Sequence, residues 1–140
     1  MATARRKQKK RSGASAPIWI EKRAALAYHA EQLAEHGGLP GIRDEALLES
    51  ALARPRNLAA YGSPRPSLFD LAAAYAWGLA HNHPFMDGNK RTALVVAFAF
   101  LERNGIEVRA AQEEAFVMFY DLAAGRVTEV ALADWLERNA

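Results

Sequence analysis

A dense run of polar residues, HPFMDGNKR from His83 to Arg91, stands between two strongly apolar segments. A histidine titrates near neutral pH and can take a proton from an attacking hydroxyl. Asp87 supplies a carboxylate, the kind of ligand that Mg²⁺ takes beside a polyphosphate. Lys90 offers a point charge and Arg91 a bidentate fork, and both suit phosphate oxygens. The run therefore combines a candidate general base, a metal ligand and an anion site.

The second half of this run is expected to begin a helix near Asn89. The first N–H groups of a helix are unpaired and carry the positive end of its dipole, which favours a bound anion. A glycine just before them lets the backbone approach the ligand closely. Phe85 should point away from its polar neighbours and pin the loop into the core. The predicted phosphate-binding residues are Gly88, Asn89, Lys90, Arg91 and Thr92.

The segments around the run have helical periodicity, with Gly and Pro between them and no long alternating stretch. We therefore predict an all-α fold in which two apolar helices flank the loop. Asp44 and Thr128 are expected N-caps, Ser67 and Asp70 an acidic capping box, and Arg54-Pro55 a helix stop. The predicted helices are about Glu21–Glu35, Asp44–Ala53, Ser67–Asn82, Asn89–Asn104, Gln112–Ala124 and Thr128–Arg138.

A chain of 140 residues suits one domain with a single core, predicted here over residues 17–140. Residues 1–16 hold six of the 18 basic residues and no acidic one, and we expect a disordered tail. Such a run can touch nucleic acid by charge alone, but a solvated extension is favoured, so no specific nucleic-acid partner is predicted. With no cysteine, no signal-peptide pattern and no apolar stretch of membrane length, a cytoplasmic protein without a membrane partner is expected.

HPFMDGNKR matches the Fic motif H-x-F-x-[DE]-[GA]-N-[GK]-R at every fixed position, so the chain resembles the Fic family. Lys90 followed by RTAL is similar to the death-on-curing, or Doc, branch of toxin–antitoxin systems. The resemblance runs from about Ile20 to Asn139 and includes GGLPGIRD, YGSP and FLERNG. It implies a single-domain Fic/Doc helical fold.

The resemblance also implies roles for individual residues. His83 corresponds to the catalytic base and Asp87 to the Mg²⁺ ligand, and Arg91 would stabilise the transferring group. ATP would be the donor, a Ser or Thr hydroxyl of a protein such as elongation factor Tu the acceptor, and a separate antitoxin would cover the site. Translation would then be blocked. The residues implied as a target-binding flap are Gly38, Leu39, Pro40, Gly41 and Ile42, although a plain connection between two helices would read the same way.

Two departures separate this chain from the adenylylating pattern, which has Gly at the position of Lys90 and a second Arg at that of Leu94. Transfer of the γ-phosphate is therefore the favoured reaction. Transfer of AMP and an inactive Fic-fold binding module stay as alternatives, and His81 with His83 and Asp87 leaves a metal hydrolase as a remote one. His29 is interpreted as a surface or hydrogen-bonded structural histidine, and Phe116 as a core residue.

Overall fold

Helices account for the regular structure of residues 16–140, the part of the chain that the computed structural model describes. They are α1 (Lys22–His36), α2 (Glu45–Tyr61), α3 (Leu68–Asn82), α4 (Asn89–Arg103), α5 (Gln112–Ala123) and α6 (Glu129–Arg138). The all-α prediction is confirmed. Apart from Ala16, the predicted tail of residues 1–16 lies outside the described part. Within that part, each helix is too short or too polar to cross a membrane.

The centre of the fold is α3, which packs against α2, α4 and α6. Its small side chains let these neighbours approach closely, and most of the helix is buried. Ser67 and Asp70 form the predicted capping box: the Ser67 hydroxyl accepts from the Asp70 N–H, and the Asp70 carboxylate accepts from the Ser67 N–H. Asp44 and Thr128 likewise cap α2 and α6 as predicted. The helix that leads into the polar loop is therefore fixed along its whole length.

The prediction that α2 stops at Ala53 was wrong, because the helix continues through Pro55 to Tyr61. Proline lacks the N–H that would bond the carbonyl of Ala51, at a cost of about 3 kcal/mol in a helix interior. Pro55 is nevertheless buried, and Leu58, one turn later, still packs against the core. The apolar stripe facing α3 thus extends past the proline, and its burial offsets the lost hydrogen bond.

The far end of α4 holds the segment before α1 in place. Asn104, which is completely buried, accepts a hydrogen bond from the Ile18 N–H (2.8 Å) and donates one to the Ile18 carbonyl (3.0 Å). Trp19 stacks on Phe100 with ring centroids 5.9 Å apart. The Tyr75 hydroxyl accepts from the Ile20 N–H (2.9 Å), and burial raises the pKa of this tyrosine. The N-terminal segment is therefore tied to α3 and α4.

Candidate active site

The polar loop begins where α3 ends. His83 caps the helix in the left-handed region (φ 48°), an uncommon conformation for a residue with a side chain, and its imidazole is exposed. The Arg43 guanidinium fixes this turn from outside: Nε donates to the His83 carbonyl (2.6 Å) and a terminal nitrogen donates to the Asn82 carbonyl (2.9 Å). The backbone at His83 is thus held while its side chain faces solvent.

Asn89 closes the loop from within. Its side-chain oxygen accepts from the Phe85 N–H (2.9 Å), and its side-chain nitrogen donates to the Phe85 carbonyl (3.0 Å). Phe85 itself is 1% exposed, which confirms that it anchors the loop in the core. Because both ends of the Asn89 amide are occupied, its side chain shapes the loop and its backbone N–H is the group left for a ligand.

The start of α4 is open to the solvent side. Gly88 takes a positive φ of 76°, no side chain caps the helix, and the intrahelical ladder begins with the Thr92 N–H bonded to the Gly88 carbonyl. The N–H groups of Asn89, Lys90 and Arg91 therefore have no partner within the helix. Within residues 16–140, the side chains of Lys90 and Arg91 form no ion pair with a carboxylate. The three N–H groups and two cations make one positive surface.

Thr92 lies at the same helix start, but its side chain faces the other way. The residue is fully buried, and its hydroxyl has no hydrogen-bond partner among the described residues. A cavity lies over the start of α4, and Thr92 does not line it. Of the predicted phosphate-binding residues, Gly88, Asn89, Lys90 and Arg91 are brought together at that cavity, and Thr92 is not.

The predicted flap runs alongside the polar loop. Ile42 and Phe85 form an isolated antiparallel bridge, and the Met86 N–H donates to the Gly41 carbonyl (3.0 Å). At its tip, the Leu39 N–H donates to Asp87 Oδ2 (3.0 Å). The segment Gly38–Ile42 is therefore more than a connection between helices, because its backbone is paired with the loop that carries Asp87.

His29 on α1 contacts the polar loop, and the sequence did not predict this contact. It is buried, its Nε2–H donates to the Asp87 carbonyl (2.8 Å), and its ring stacks on Phe85 with centroids 3.8 Å apart. It is hydrogen-bonded, as expected, but to the polar loop itself. Ala25 and His29 are the two buried residues of α1, and their spacing of four was the available signal that this face meets the core.

A cavity of about 420 Å³ lies over the start of α4 and is bordered by α5. Its charged lining, Asp87, Lys90 and Arg91, comes from the start of α4. Its apolar end is lined by Leu94 and the aromatic residues of α5, where Lys90 also reaches Tyr120. Phe116 belongs to this apolar end with 38% of its surface exposed, so the prediction of a core residue was wrong there. It points from α5 toward the cavity because Ala115, Phe119 and Leu122 take the core-facing positions of that helix.

Asp87 suits a magnesium ion that is shared with a polyphosphate. Its carboxylate is exposed, and Oδ2 receives the Leu39 N–H while Oδ1 accepts no hydrogen bond from the described residues. No group of three or more His, Cys, Asp or Glu gathers around a point within residues 16–140. Mg²⁺ takes one or two protein carboxylates and completes its shell with phosphate and water, so Asp87 could be its protein ligand.

His81 turns away from this loop. Its Nδ1 lies 2.9 Å from the carbonyl of Trp77, one turn earlier on α3, and the two rings stack with centroids 4.3 Å apart. The two histidines of the His81-Asn82-His83 sequence therefore do not share one set of neighbours. Of these two histidines, His83 is the one at the start of the polar loop.

Together these features define a class: a helical domain with an open, positively charged helix start, preceded by a loop that exposes a histidine and a carboxylate. A family model described as "Fic/DOC family" matches residues 19–101. "Protein kinase doc" of Escherichia phage P1 is 35% identical over 119 residues, which cover 85% of this chain and 93% of that protein. "Toxin Doc" of Mycolicibacterium smegmatis is 45% identical over 74 residues, 53% of this chain and 57% of that protein. The chain belongs to the Fic/Doc family.

The polar loop lies inside the matched range, and the two relatives confirm the predicted Doc branch. They support a Doc-like toxin whose activity is of the transferase kind.

Proposed function

We propose that this protein transfers the γ-phosphate of ATP to a Ser or Thr hydroxyl of a protein target and thereby blocks translation. The observation that carries the proposal is the open start of α4, where free N–H groups, Lys90 and Arg91 border one cavity and directly follow the loop of the exposed His83. The name of the phage relative, a protein kinase, supports a phosphoryl group as the one transferred. Residues 17–140 would form the catalytic domain.

His83 would act as the general base. The target hydroxyl oxygen attacks the γ-phosphorus, its proton passes to an imidazole nitrogen of His83, and the bond from the γ-phosphorus to the bridging oxygen breaks. The bridging oxygen keeps the electron pair, and ADP leaves. The exposed imidazole makes no hydrogen bond within the described residues, so it is available for the proton. The Arg43 contacts hold its backbone in one place.

The charge on the phosphates would be met by the positive surface of α4. Backbone N–H groups of Asn89, Lys90 and Arg91 point outward from the helix start, and the Arg91 guanidinium adds a bidentate donor. A magnesium ion held by Asp87 would neutralise further phosphate charge. Because such donors are fixed before the reaction, they stabilise charge without rearranging.

The flap would align the target. One edge of Gly38–Ile42 is already paired with the polar loop, and an extended segment of the target can pair with the backbone groups of the other edge. Elongation factor Tu is the candidate target, which places the reaction in the cytoplasm. By analogy with the toxin relative, a separately encoded antitoxin would cover the site.

The direct test supplies ATP labelled in turn at the α- and γ-phosphorus, with Mg²⁺ and purified elongation factor Tu. We expect label from the γ position in the target. Label from the α position would replace this function by adenylylation, and label from neither, with a panel of candidate targets, would favour the inactive binding module. His83→Ala serves as the matched control, since it should abolish any genuine transfer.

Lys90→Gly examines the choice between the two reactions in the same assay. Lys90 fills space at the helix start that the adenylylating pattern leaves to a glycine, and Leu94 provides no second guanidinium. We expect weaker phosphorylation from this variant and only a slight gain of AMP transfer. A full switch to α-label would show that Lys90 alone decides the orientation of ATP.

A further inference from the structure

The apolar end of the cavity over α4 contains two exposed aromatic side chains. Phe116 and Tyr120 are four residues apart on α5, so they lie on one face of that helix, and Tyr120 is 60% exposed. Aromatic rings that border a cavity, next to charged groups at its other end, are a usual setting for a ligand with a flat ring and an anionic tail. ATP has this form.

We propose that Phe116 and Tyr120 form the binding surface for the adenine base of the phosphate donor. The proposal rests on the proposed function, in which the γ-phosphate faces His83 and the flap. With that end of ATP fixed, the base lies at the opposite end of the cavity, beyond the start of α4. Leu94, the cavity residue one turn further along α4, is aliphatic, so this end offers apolar contacts to a base.

The contact between Lys90 and Tyr120 supports the same assignment. Lys90 Nζ lies 4.4 Å from the centroid of the Tyr120 ring and so covers one of its faces. An exposed cation–π contact is weak compared with a charge-assisted hydrogen bond to phosphate. When a polyphosphate occupies the helix start, Lys90 should move to it and uncover the ring. Binding of the phosphates would thereby open the surface for the base.

The rest of α5 shows that these two residues are not needed for the core. Phe119 on the same helix is buried and packs edge-on against Phe98, and Leu122 is also buried. Removing the exposed rings should therefore leave the fold intact. Val117, which is exposed on α5 but does not line the cavity, provides a matched control.

The test compares the affinities of ATP and inorganic tripolyphosphate for the full-length protein, by calorimetry with Mg²⁺ present. Stacking on one aromatic ring contributes appreciably to base binding. Phe116→Ala and Tyr120→Ala should therefore each lower the affinity for ATP by about 5- to 100-fold. Tripolyphosphate affinity should change by no more than about twofold, since it has no base. Val117→Ala should bind both normally. An equal loss of both ligands, or no loss of ATP, would overturn the assignment.

A second measurement needs no variant. Wild-type protein irradiated with 8-azido-ATP and digested should carry the adduct on the peptide that contains Gln112–Ala123, as seen by mass spectrometry. Adducts confined to another helix would refute the base site. Failure of the proposed function can be distinguished from failure of the base site. If the wild-type protein transfers no γ-label but the variants lose affinity for ATP and not for tripolyphosphate, phosphorylation is rejected and the base site is retained. If the wild-type protein transfers the γ-label and the variants bind ATP with unchanged affinity, phosphorylation is retained and the base site is rejected.

Discussion

The two ends of α4 are built with the same hydrogen-bonding device. At each end an asparagine side chain accepts from the backbone N–H of another residue and donates to the carbonyl of that same residue. Asn89 pairs in this way with Phe85 at 2.9 and 3.0 Å, and Asn104 with Ile18 at 2.8 and 3.0 Å. Both asparagines are buried. The ends differ in what the device leaves exposed.

At the Asn104 end the side chain and the N–H of the asparagine are paired within the fold. Its side chain also donates to the Phe100 carbonyl (2.7 Å), its own N–H is bonded to the preceding turn, and Trp19 covers Phe100. At the Asn89 end the same pairing turns the loop so that unpaired N–H groups and the side chains of His83 and Asp87 face outward. The same pair of asparagine hydrogen bonds therefore closes one end of α4 and keeps the other end open. Variants at the two ends should separate effects on stability from effects on activity.

The largest effect is expected for His83→Ala at the open end. Loss of a general base costs about 10²- to 10⁴-fold in rate. ATP affinity and melting temperature should stay near wild-type values, because His83 acts on the hydroxyl proton and its side chain is exposed. Transfer rate and ATP affinity are measured together. A variant that keeps more than about a tenth of the rate is incompatible with this role.

Asn89→Ala and Asn104→Ala should separate the roles of the two ends of α4 most directly. Each should lower the free energy of unfolding by roughly 1–3 kcal/mol, because each leaves a buried N–H and carbonyl without partners. Only Asn89→Ala should also lose transfer per folded molecule, by about 100-fold, since the catalytic loop would be misplaced. Denaturant unfolding and activity at matched folded fraction distinguish the two. Equal activity losses would contradict the division between the ends.

A smaller loss is expected for His29→Ala, which removes the hydrogen bond to the Asp87 carbonyl and the stacking on Phe85. Partners that orient a metal ligand from outside typically change metal affinity or activity by about 10- to 100-fold. We expect weaker Mg²⁺-dependent ATP binding, measured by titrating Mg²⁺ at fixed ATP. His29→Gln should restore part of it, and His36→Ala, at an exposed position of α1, is the control. Equal effects of the two alanine variants would exclude a role in positioning.

The smallest change is expected from deleting residues 1–15, which precede both ends of α4 and hold no motif residue. Melting temperature should be unchanged and the transfer rate should stay within about twofold, because truncation is most often tolerated at chain termini. The same labelled-ATP assay and a thermal melt provide the measurement. A large fall in transfer to the protein target alone would show that the basic residues recruit that target.

Much of the fold and of the polar loop could be predicted because it depends on residues that are close together in the sequence. The caps at Asp44, Ser67 and Thr128, the burial of α3 and the anchoring by Phe85 each depend on residues close together in the chain. The wrong helix end at Pro55 has a different cause. There the tendency of proline to end a helix competes with packing against α3. That packing depends on a segment further along the chain, so the residues around Pro55 do not reveal it.

The contacts of the site that escaped prediction join distant segments. His29 bonds a residue 58 positions away, and the orientation of Phe116 depends on which face of α5 meets α4. Thr92, the residue directly after the motif, illustrates the limit: its position suggests a phosphate contact, but the helix turns its side chain into the core. Sequence reasoning identified the chemical groups, whereas three-dimensional packing decided which of them face the cavity.

Gly38 has a consequence for genetics. Its φ of +127° strains any residue with a side chain, and a Cβ there would lie 3.2 Å from Asp87 Cβ and 2.9 Å from a methyl carbon of Leu33. If the protein arrests growth as proposed, colonies that survive its forced expression are enriched for inactivating alleles. Substitutions at Gly38 should recur among them although it lies outside the nine-residue motif. Such alleles should still produce folded, antitoxin-binding protein, and so provide a harmless form of the gene for cloning.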